Sequence, residues 1–287
     1  MTTGECAPSA AKQAFEGWAR WGYAARGIIH AVTGGLGLAT AIDARGAHPT
    51  DAPGVLVQLF NRPYGAALIV LLALGLVGFG VWRVYESFTE KESKGAWRVA
   101  LCAAGVLSLV SHLGLAFVAV QLLYDGKGTT AEQAAEDTTA SLLSMGEYGA
   151  WLVVAMGVAT IGMGVTCLVR GVGARLTKDL KTEGAVDKGV WSLGIFGHLA
   201  QGVALLGTGG FFLLAAWRSR PQDAGSVKGV LEELQRQPLG PWLLALVSAG
   251  LFAFGLFAIA EAVFRHMPEE MEARRHPQAR AQSGSSR

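Results

Sequence analysis

Charged residues are scarce in this chain of 287 residues: Asp, Glu, Lys and Arg make up 16% of it, against about 25% in an ordinary soluble domain. The 24 basic and 22 acidic residues leave a formal charge of +2, which is too small a bias to indicate a nucleic-acid-binding surface. We therefore expect no nucleic-acid partner. Hydrophobic residues make up 51% of the chain and 39 residues are glycines, a composition typical of helices packed within lipid.

Cysteine is scarce as well. Cys6, Cys102 and Cys167 fit neither a metal-binding spacing nor a disulfide framework. The histidines have no metal-ligand spacing along one helix, and the sequence pairs no nucleophile with a base in a recognisable pattern. The sequence therefore predicts no catalytic, cofactor-binding or metal site, and we expect the protein not to be an enzyme.

Six apolar stretches are long enough to cross a bilayer, which takes roughly 20 helical residues. They lie near residues 22–42, 64–84, 99–123, 148–169, 190–217 and 239–264. Core helices of soluble proteins are shorter and have a polar face, whereas stretches such as "AALIVLLALGLVGFGV" have no charge on any face. The sequence predicts an all-α integral membrane protein with six transmembrane helices.

The six stretches form three tandem pairs. The segments "PYGAALIVLLALGLVGFG", "EYGAWLVVAMGVATIGMG" and "PLGPWLLALVSAGLFAFG" align without a gap, and so do the regions that begin at Gly22, Gly105 and Gly197. Because repetition at matching offsets indicates duplicated structural units, we predict three two-helix repeats at 15–98, 99–188 and 189–266. The flanking residues 1–14 and 267–287 are polar or charged, and we predict disordered tails there.

A short segment separates the two helices of each pair. Asp51, Thr130 and Ser226 stand where side-chain oxygens accept hydrogen bonds from the first-turn amides of a helix. We predict that each begins a short interfacial helix lying on the membrane surface.

Lys and Arg are distributed unevenly between the two sides that six spans create. The connections at 43–63, 125–147 and 218–238 hold few of them, whereas the chain ends and the other connections hold most. Because basic connections stay cytoplasmic, we predict a bacterial inner-membrane protein with both termini cytoplasmic. Membrane lipids are then its expected partners; a protein partner and assembly into a homo-oligomer are left open.

Arg26 is a charge inside the first predicted span. It has two alternatives: it extends back to the lipid headgroups, or it turns inward and pairs with Glu86 or Glu261, which end the second and sixth spans. We favour the inward ion pair, because charges within membranes usually face the interior of a bundle.

Four further polar residues lie within predicted spans, namely His30, His112, His198 and Gln201. Such residues either hydrogen-bond neighbouring helices or build a proton relay or a solute site. We favour the hydrogen-bonding role, because no acidic residue lies near the middle of any span.

The first helix opens with "GYAARG", residues 22–27, and the third pair contains "GHLAQG", residues 197–202, with Gln201 in place of the arginine; the second pair has "GVLSLV". With this motif and the triplication, the chain resembles the bacterial membrane-protein family catalogued as domain of unknown function 1206. The resemblance implies three copies of a two-helix unit and implies no activity.

The function that we predict from these features is that of a structural or interaction scaffold in the inner membrane. The alternative is a transporter or channel for a small solute or ion that uses the polar residues inside the helix bundle.

Overall fold

The structure, a computed structural model, describes residues 10–42, 48–89, 95–126, 128–173, 176, 180, 182 and 184–265. The predicted tail at 267–287 lies outside the described residues, as do residues 1–9. Residues 10–14, which we predicted to be disordered, belong instead to the first helix. Directly after them, Phe15 packs against the buried ring of Trp82.

Nine α-helices make up most of the described chain. In order they are α1 (Ala10–Ala41), α2 (Ala52–Phe60), α3 (Gly65–Thr89), α4 (Gly95–Asp125), α5 (Ala131–Leu143), α6 (Glu147–Val172), α7 (Gly184–Arg218), α8 (Val227–Arg236) and α9 (Gly240–Phe264). A 3₁₀ helix at Pro221–Asp223 precedes α8. All six predicted apolar stretches are helical, and the all-α prediction is confirmed for the described residues.

The six long helices pack in a row, in the order α4, α3, α1, α9, α7, α6. The most extensive contact joins α1 to α9, so the first and last long helices of the chain lie side by side in the middle of the row. There a Cβ atom added to Gly255 of α9 would strike the backbone of α1 at Gly27 and Ala31. The two ends of the row, α4 and α6, form no extended contact with each other, and the row therefore does not close into a complete ring.

The three short helices α2, α5 and α8 lie at one end of the long helices. The predicted N-caps are confirmed: Asp51 accepts a hydrogen bond from the Gly54 amide, and Thr130 and Ser226 cap α5 and α8 in the same way. Val55 and Leu56 of α2 are fully buried in the hydrophobic core. The short helices therefore cover this end of the bundle, which we call the capped end.

Five of the described helices are long and apolar enough to cross a membrane. These segments are Gly65–Thr89, Leu101–Asp125, Glu147–Val172, Val186–Arg218 and Gly240–Phe264. The first helix is not among them, although it has 32 residues. Arg26 and His30 lower the hydropathy of its central part, and that is why the count by length and composition is five and not the predicted six.

Candidate functional site

Arg26 lies near the middle of the bundle. Its guanidinium carbon is 4.5 Å from the centre of the Phe254 ring on α9 and 4.9 Å from that of Phe79 on α3. Phe254 is ten residues from the end of α9, or about 15 Å along the helix axis. Both rings attract the cation through their π-faces. Arg26 is thus deeper than the cytoplasmic-side position expected of a residue near the start of a span.

Three of the predicted polar residues come together around the same two rings. The centre of the His30 ring is 5.0 Å from that of Phe254, and the His198 ring is 5.1 Å from Phe254 on another side. His112 lies 4.8 Å from Phe79. Arg26, His30, His112 and His198, with Phe79 and Phe254, form what we call the central cluster.

Each histidine of the central cluster is held by its own helix. The Nδ1 atoms of His30, His112 and His198 lie 2.9, 2.6 and 2.8 Å from the carbonyl oxygens of the residues four positions earlier. Because a carbonyl only accepts, each ring donates through Nδ1–H. The Nε2 atom of each ring is left to contact other groups, so these histidines do not use Nδ1 to tie one helix to another.

Gln201 and Cys167 lie beside this cluster. Gln201 is buried one turn beyond His198 on α7, and Cys167 of α6 is half-buried and interacts electrostatically with Arg26. Within the described parts of the chain, no group of three or more His, Cys, Asp or Glu side chains is placed to hold a metal ion.

The two glutamates predicted to pair with Arg26 come together, but around a different arginine. Arg265 binds Glu86 and, at 2.6 Å, Glu261. Arg83 adds a second contact to Glu86, at 2.5 Å. We call these four residues the ion-pair end of the bundle.

The prediction of an Arg26 ion pair is therefore replaced by a different arrangement. Glu86 and Glu261 each lie seven residues beyond the phenylalanine that Arg26 contacts, or about 10 Å further along their helices. Arg265 follows Glu261 by four residues, which places the two side chains on one face, one helical turn apart. Glu261 still attracts Arg26 electrostatically, but the bond that it forms is to Arg265.

Further contacts close the ion-pair end. Arg20 of α1 donates to the carbonyl oxygens of Ala262, Val263 and Arg265 at 2.9 to 3.0 Å. The guanidinium of Arg265 lies 5.0 Å from the centre of the buried Tyr23 ring. Arg265 directly follows an apolar stretch and resembles an ordinary flanking charge, so its position in the sequence did not indicate a partner for the two glutamates. Its spacing of four from Glu261 was the available signal.

The capped end is closed by a buried hydrogen bond between parts of the chain that are distant in sequence. The Ser226 hydroxyl donates to the Asp51 carboxylate at 2.9 Å, which joins α8 to α2. Burial raises the pKa of Asp51, although the hydrogen bonds from Gly54 and Ser226 oppose that shift. The carboxylate is therefore costly to keep charged, and both donors are directed at it.

An ion pair joins α8 to α5 at the same end. Lys228 lies 2.9 Å from Glu132 of α5 and 3.1 Å from Glu232 of its own helix. The hydrogen bond to Glu132 raises the pKa of Lys228. These side chains are about one-third exposed, so water screens this link more than it screens the link at Asp51.

The chain is similar to known proteins over most of its length. An uncharacterised protein of Bacillus subtilis (strain 168), YxxB, is 28% identical over 257 residues, which cover 88% of this chain and 91% of that protein. No solved structure gives a significant match. The profile described as Domain of Unknown Function (DUF1206) matches three times, at residues 21–90, 103–174 and 196–265. Each match includes parts of two long helices and the short helix between them. The chain belongs to the DUF1206 family and contains three copies of the domain that defines it.

Proposed function

We propose that the protein crosses a bacterial inner membrane six times, as three tandem two-helix repeats with both termini in the cytoplasm. The sixth span is α1, which packs between α3 and α9 and has Arg26 among phenylalanine rings. A helix in that position meets lipid over a small part of its surface, so its low hydropathy does not prevent it from spanning. The basic connections support this orientation.

Of the scaffold and transporter alternatives, we propose the transporter: the bundle holds a small solute at the central cluster. The observation that supports this choice is the convergence of Arg26, His30, His112 and His198 between two closed ends. One end is closed by the Asp51–Ser226 hydrogen bond and the other by the Arg265 ion pairs. Alternate opening of two such closures around a fixed central site is how many transporters work.

The test measures access of water-soluble reagents to the central cluster. In a chain with Cys6, Cys102 and Cys167 replaced by serine, His112→Cys is reacted in membranes with a membrane-impermeant thiol reagent applied from either side. Phe117→Cys is the matched control, since it lies on the same helix with 62% of its surface exposed to what is lipid in this proposal.

We expect labelling of the cysteine at position 112 and protection of that at position 117. Adding Asp51→Ala, which breaks the closure at the capped end, is expected to accelerate labelling from the non-cytoplasmic side only. Protection at position 112 from both sides, with and without Asp51→Ala, would overturn the proposal and favour the scaffold.

A further inference from the structure

The guanidinium of Arg26 has five N–H donors, and no carboxylate or carbonyl among the described residues accepts a hydrogen bond from it. The two phenyl rings attract its charge but offer no oxygen to its N–H groups. Because donors in a protein interior usually have acceptors, the missing acceptor is the first indication of a ligand.

The charges near Arg26 cannot supply that acceptor. Two carboxylates, Glu86 and Glu261, lie on the same side of the cluster, and both are bound by Arg265, with Arg83 as a second partner of Glu86. Arg83, Arg170 and Arg265 all interact electrostatically with Glu86, so the cations at this end already outnumber the two glutamates. Arg26 adds a further positive charge, which a negative charge from outside the protein would offset.

Arg26 is accessible to a ligand, although protein surrounds it. Part of its surface and part of the surfaces of His30 and His112 stay accessible. The helices α4 and α6, which carry His112 and Cys167, do not close against each other. We place the route of the ligand to the cluster between these two helices, because they form no extended contact.

The histidines beside Arg26 favour an anion that can also donate a hydrogen bond. With Nδ1–H donated to the helix backbone, Nε2 of a neutral ring is an acceptor. A phosphate or carboxylate group would accept hydrogen bonds from Arg26 through two oxygens, and one that carries an O–H group, such as hydrogen phosphate, would also donate to Nε2. Halide ions have no donor for these rings.

We infer that the central cluster is a binding site for an oxyanion, a phosphate or carboxylate group, with Arg26 as its main contact. This inference rests on the proposed function and names the class of its solute. The same group occurs on free ions and on anionic lipid headgroups, and a headgroup would enter between α4 and α6.

The experiment measures thermal unfolding of the full-length protein, purified in a neutral detergent, with sodium phosphate, sodium acetate or sodium chloride at one ionic strength. A second arm compares bilayer discs of phosphatidylcholine alone with discs that contain phosphatidylglycerol. Arg26→Gln is the test variant. Arg170→Gln is the matched control, since Arg170 of α6 is exposed and attracts Glu261 as Arg26 does, but does not lie over the two phenylalanine rings.

We expect phosphate or acetate to raise the melting temperature of the wild type and of Arg170→Gln above the value in chloride. In Arg26→Gln, the concentration required is expected to rise at least tenfold. A shift with phosphatidylglycerol alone, lost in Arg26→Gln, supports the same site with a lipid as its source. An equal shift in all three proteins, or none in any condition, would overturn the inference.

A second measurement applies if Arg26→Gln does not fold. Labelling of the native Cys167, in a chain with serine at positions 6 and 102, is expected to slow at least twofold when phosphate replaces chloride. Unchanged labelling together with an unchanged melting temperature contradicts an oxyanion site. Because water access at position 112 is measured separately, a solute site for another class of molecule remains distinguishable from no site.

Discussion

The first and third family copies pack their two long helices together, and the second copy does not. In the first copy a Cβ atom added to Gly75 of α3 would strike Ala25 of α1, and in the third copy Gly250 of α9 meets Ala200 of α7 in the same way. Aligning the copies places Ser108 and Ala159 at these positions in the second. Where the first and third copies have glycine against alanine, the second has alanine against serine.

This difference shows how small residues determine the shape of the row. Packing between helices in lipid depends on close backbone approach, which small residues permit. With larger residues at this contact, α4 and α6 do not pack on each other, and they keep their contacts with α3 and α7 of the adjoining copies. The incomplete closure of the row is thus a property of the degenerate second copy, and the same copy has Arg170 where the others have Glu86 and Glu261.

The largest effect is expected at the ion-pair end, where Arg265 binds the glutamates of the first and third copies. Arg265→Gln leaves the two half-buried glutamates of the first and third copies without their shared cation, which costs about 3 to 5 kcal/mol for a buried pair. The free energy of unfolding, measured by denaturant titration in detergent, is expected to fall by about 3 kcal/mol, because water at the end of the bundle reduces the penalty.

Arg170→Gln is the control for this variant in the second copy. Its side chain is exposed and attracts Glu86 and Glu261 without forming an ion pair with them, so we expect a clearly smaller loss of stability than for Arg265→Gln. Equal destabilisation by the two variants would contradict the assignment of the ion-pair end to Arg265.

The sequence predicts the local features of this molecule better than the contacts between its copies. Apolar length and capping residues predict helices and N-caps, because both depend on neighbours along the chain. The pairing of Glu86 with Arg265 depends on α3 and α9 meeting at one level, which spans 179 residues. Arg265 lies just outside the sixth apolar stretch, whereas Arg26 lies inside the first, so the apolar pattern indicated Arg26 as the partner of the glutamates.

The next effect in size is expected at the contact that joins the first and third copies. Gly255→Leu puts a side chain where α9 meets the α1 backbone at Gly27 and Ala31. The two helices then have to separate, and overpacking of this kind costs about 1 to 3 kcal/mol. We expect a lower melting temperature in detergent.

Gly162→Leu is the matched control, since it changes a glycine within α6 where an added Cβ meets nothing within 4 Å. Leucine is the better helix former by roughly 0.8 to 1 kcal/mol, so the melting temperature is expected to stay the same or to rise. A loss as large as that of Gly255→Leu would mean that α6 packs against a surface that the row of helices does not contain.

A smaller effect is expected at the capped end, where Asp51 joins the first copy to the third. Asp51→Ala removes the N-cap of α2 and the acceptor of the Ser226 hydroxyl, with an expected cost of about 1 to 2 kcal/mol. Asp51→Asn keeps a capping oxygen, and it is the conservative control. If both variants unfold like the wild type, the contact does not hold the cap.

Asp51→Asn also tests the protonation of this carboxyl. Because burial raises the pKa of Asp51 above its unfolded value, the folded state binds the proton more tightly, and its relative stability falls as the pH rises through the unfolded and then the folded pKa. The asparagine variant has no such penalty. Its melting temperature relative to the wild type is therefore expected to increase from pH 4 upward and to level off above the folded pKa; a difference that is constant with pH would contradict a raised pKa.

The smallest effect is expected at the link between α8 and the second copy. Lys228 and Glu132 form an ion pair whose side chains are about one-third exposed, and such pairs contribute about 0.5 kcal/mol. Lys228→Gln should therefore lower the free energy of unfolding by less than Asp51→Ala. Its effect is also expected to vanish at 1 M sodium chloride, where the screening length falls to about 3 Å, whereas the effect of Asp51→Ala, which breaks a buried hydrogen bond, should persist. If salt weakens both effects equally, water reaches the Asp51–Ser226 contact as readily as it reaches the Lys228–Glu132 pair. The link between the first and third copies is then no more protected from solvent than the link to the second.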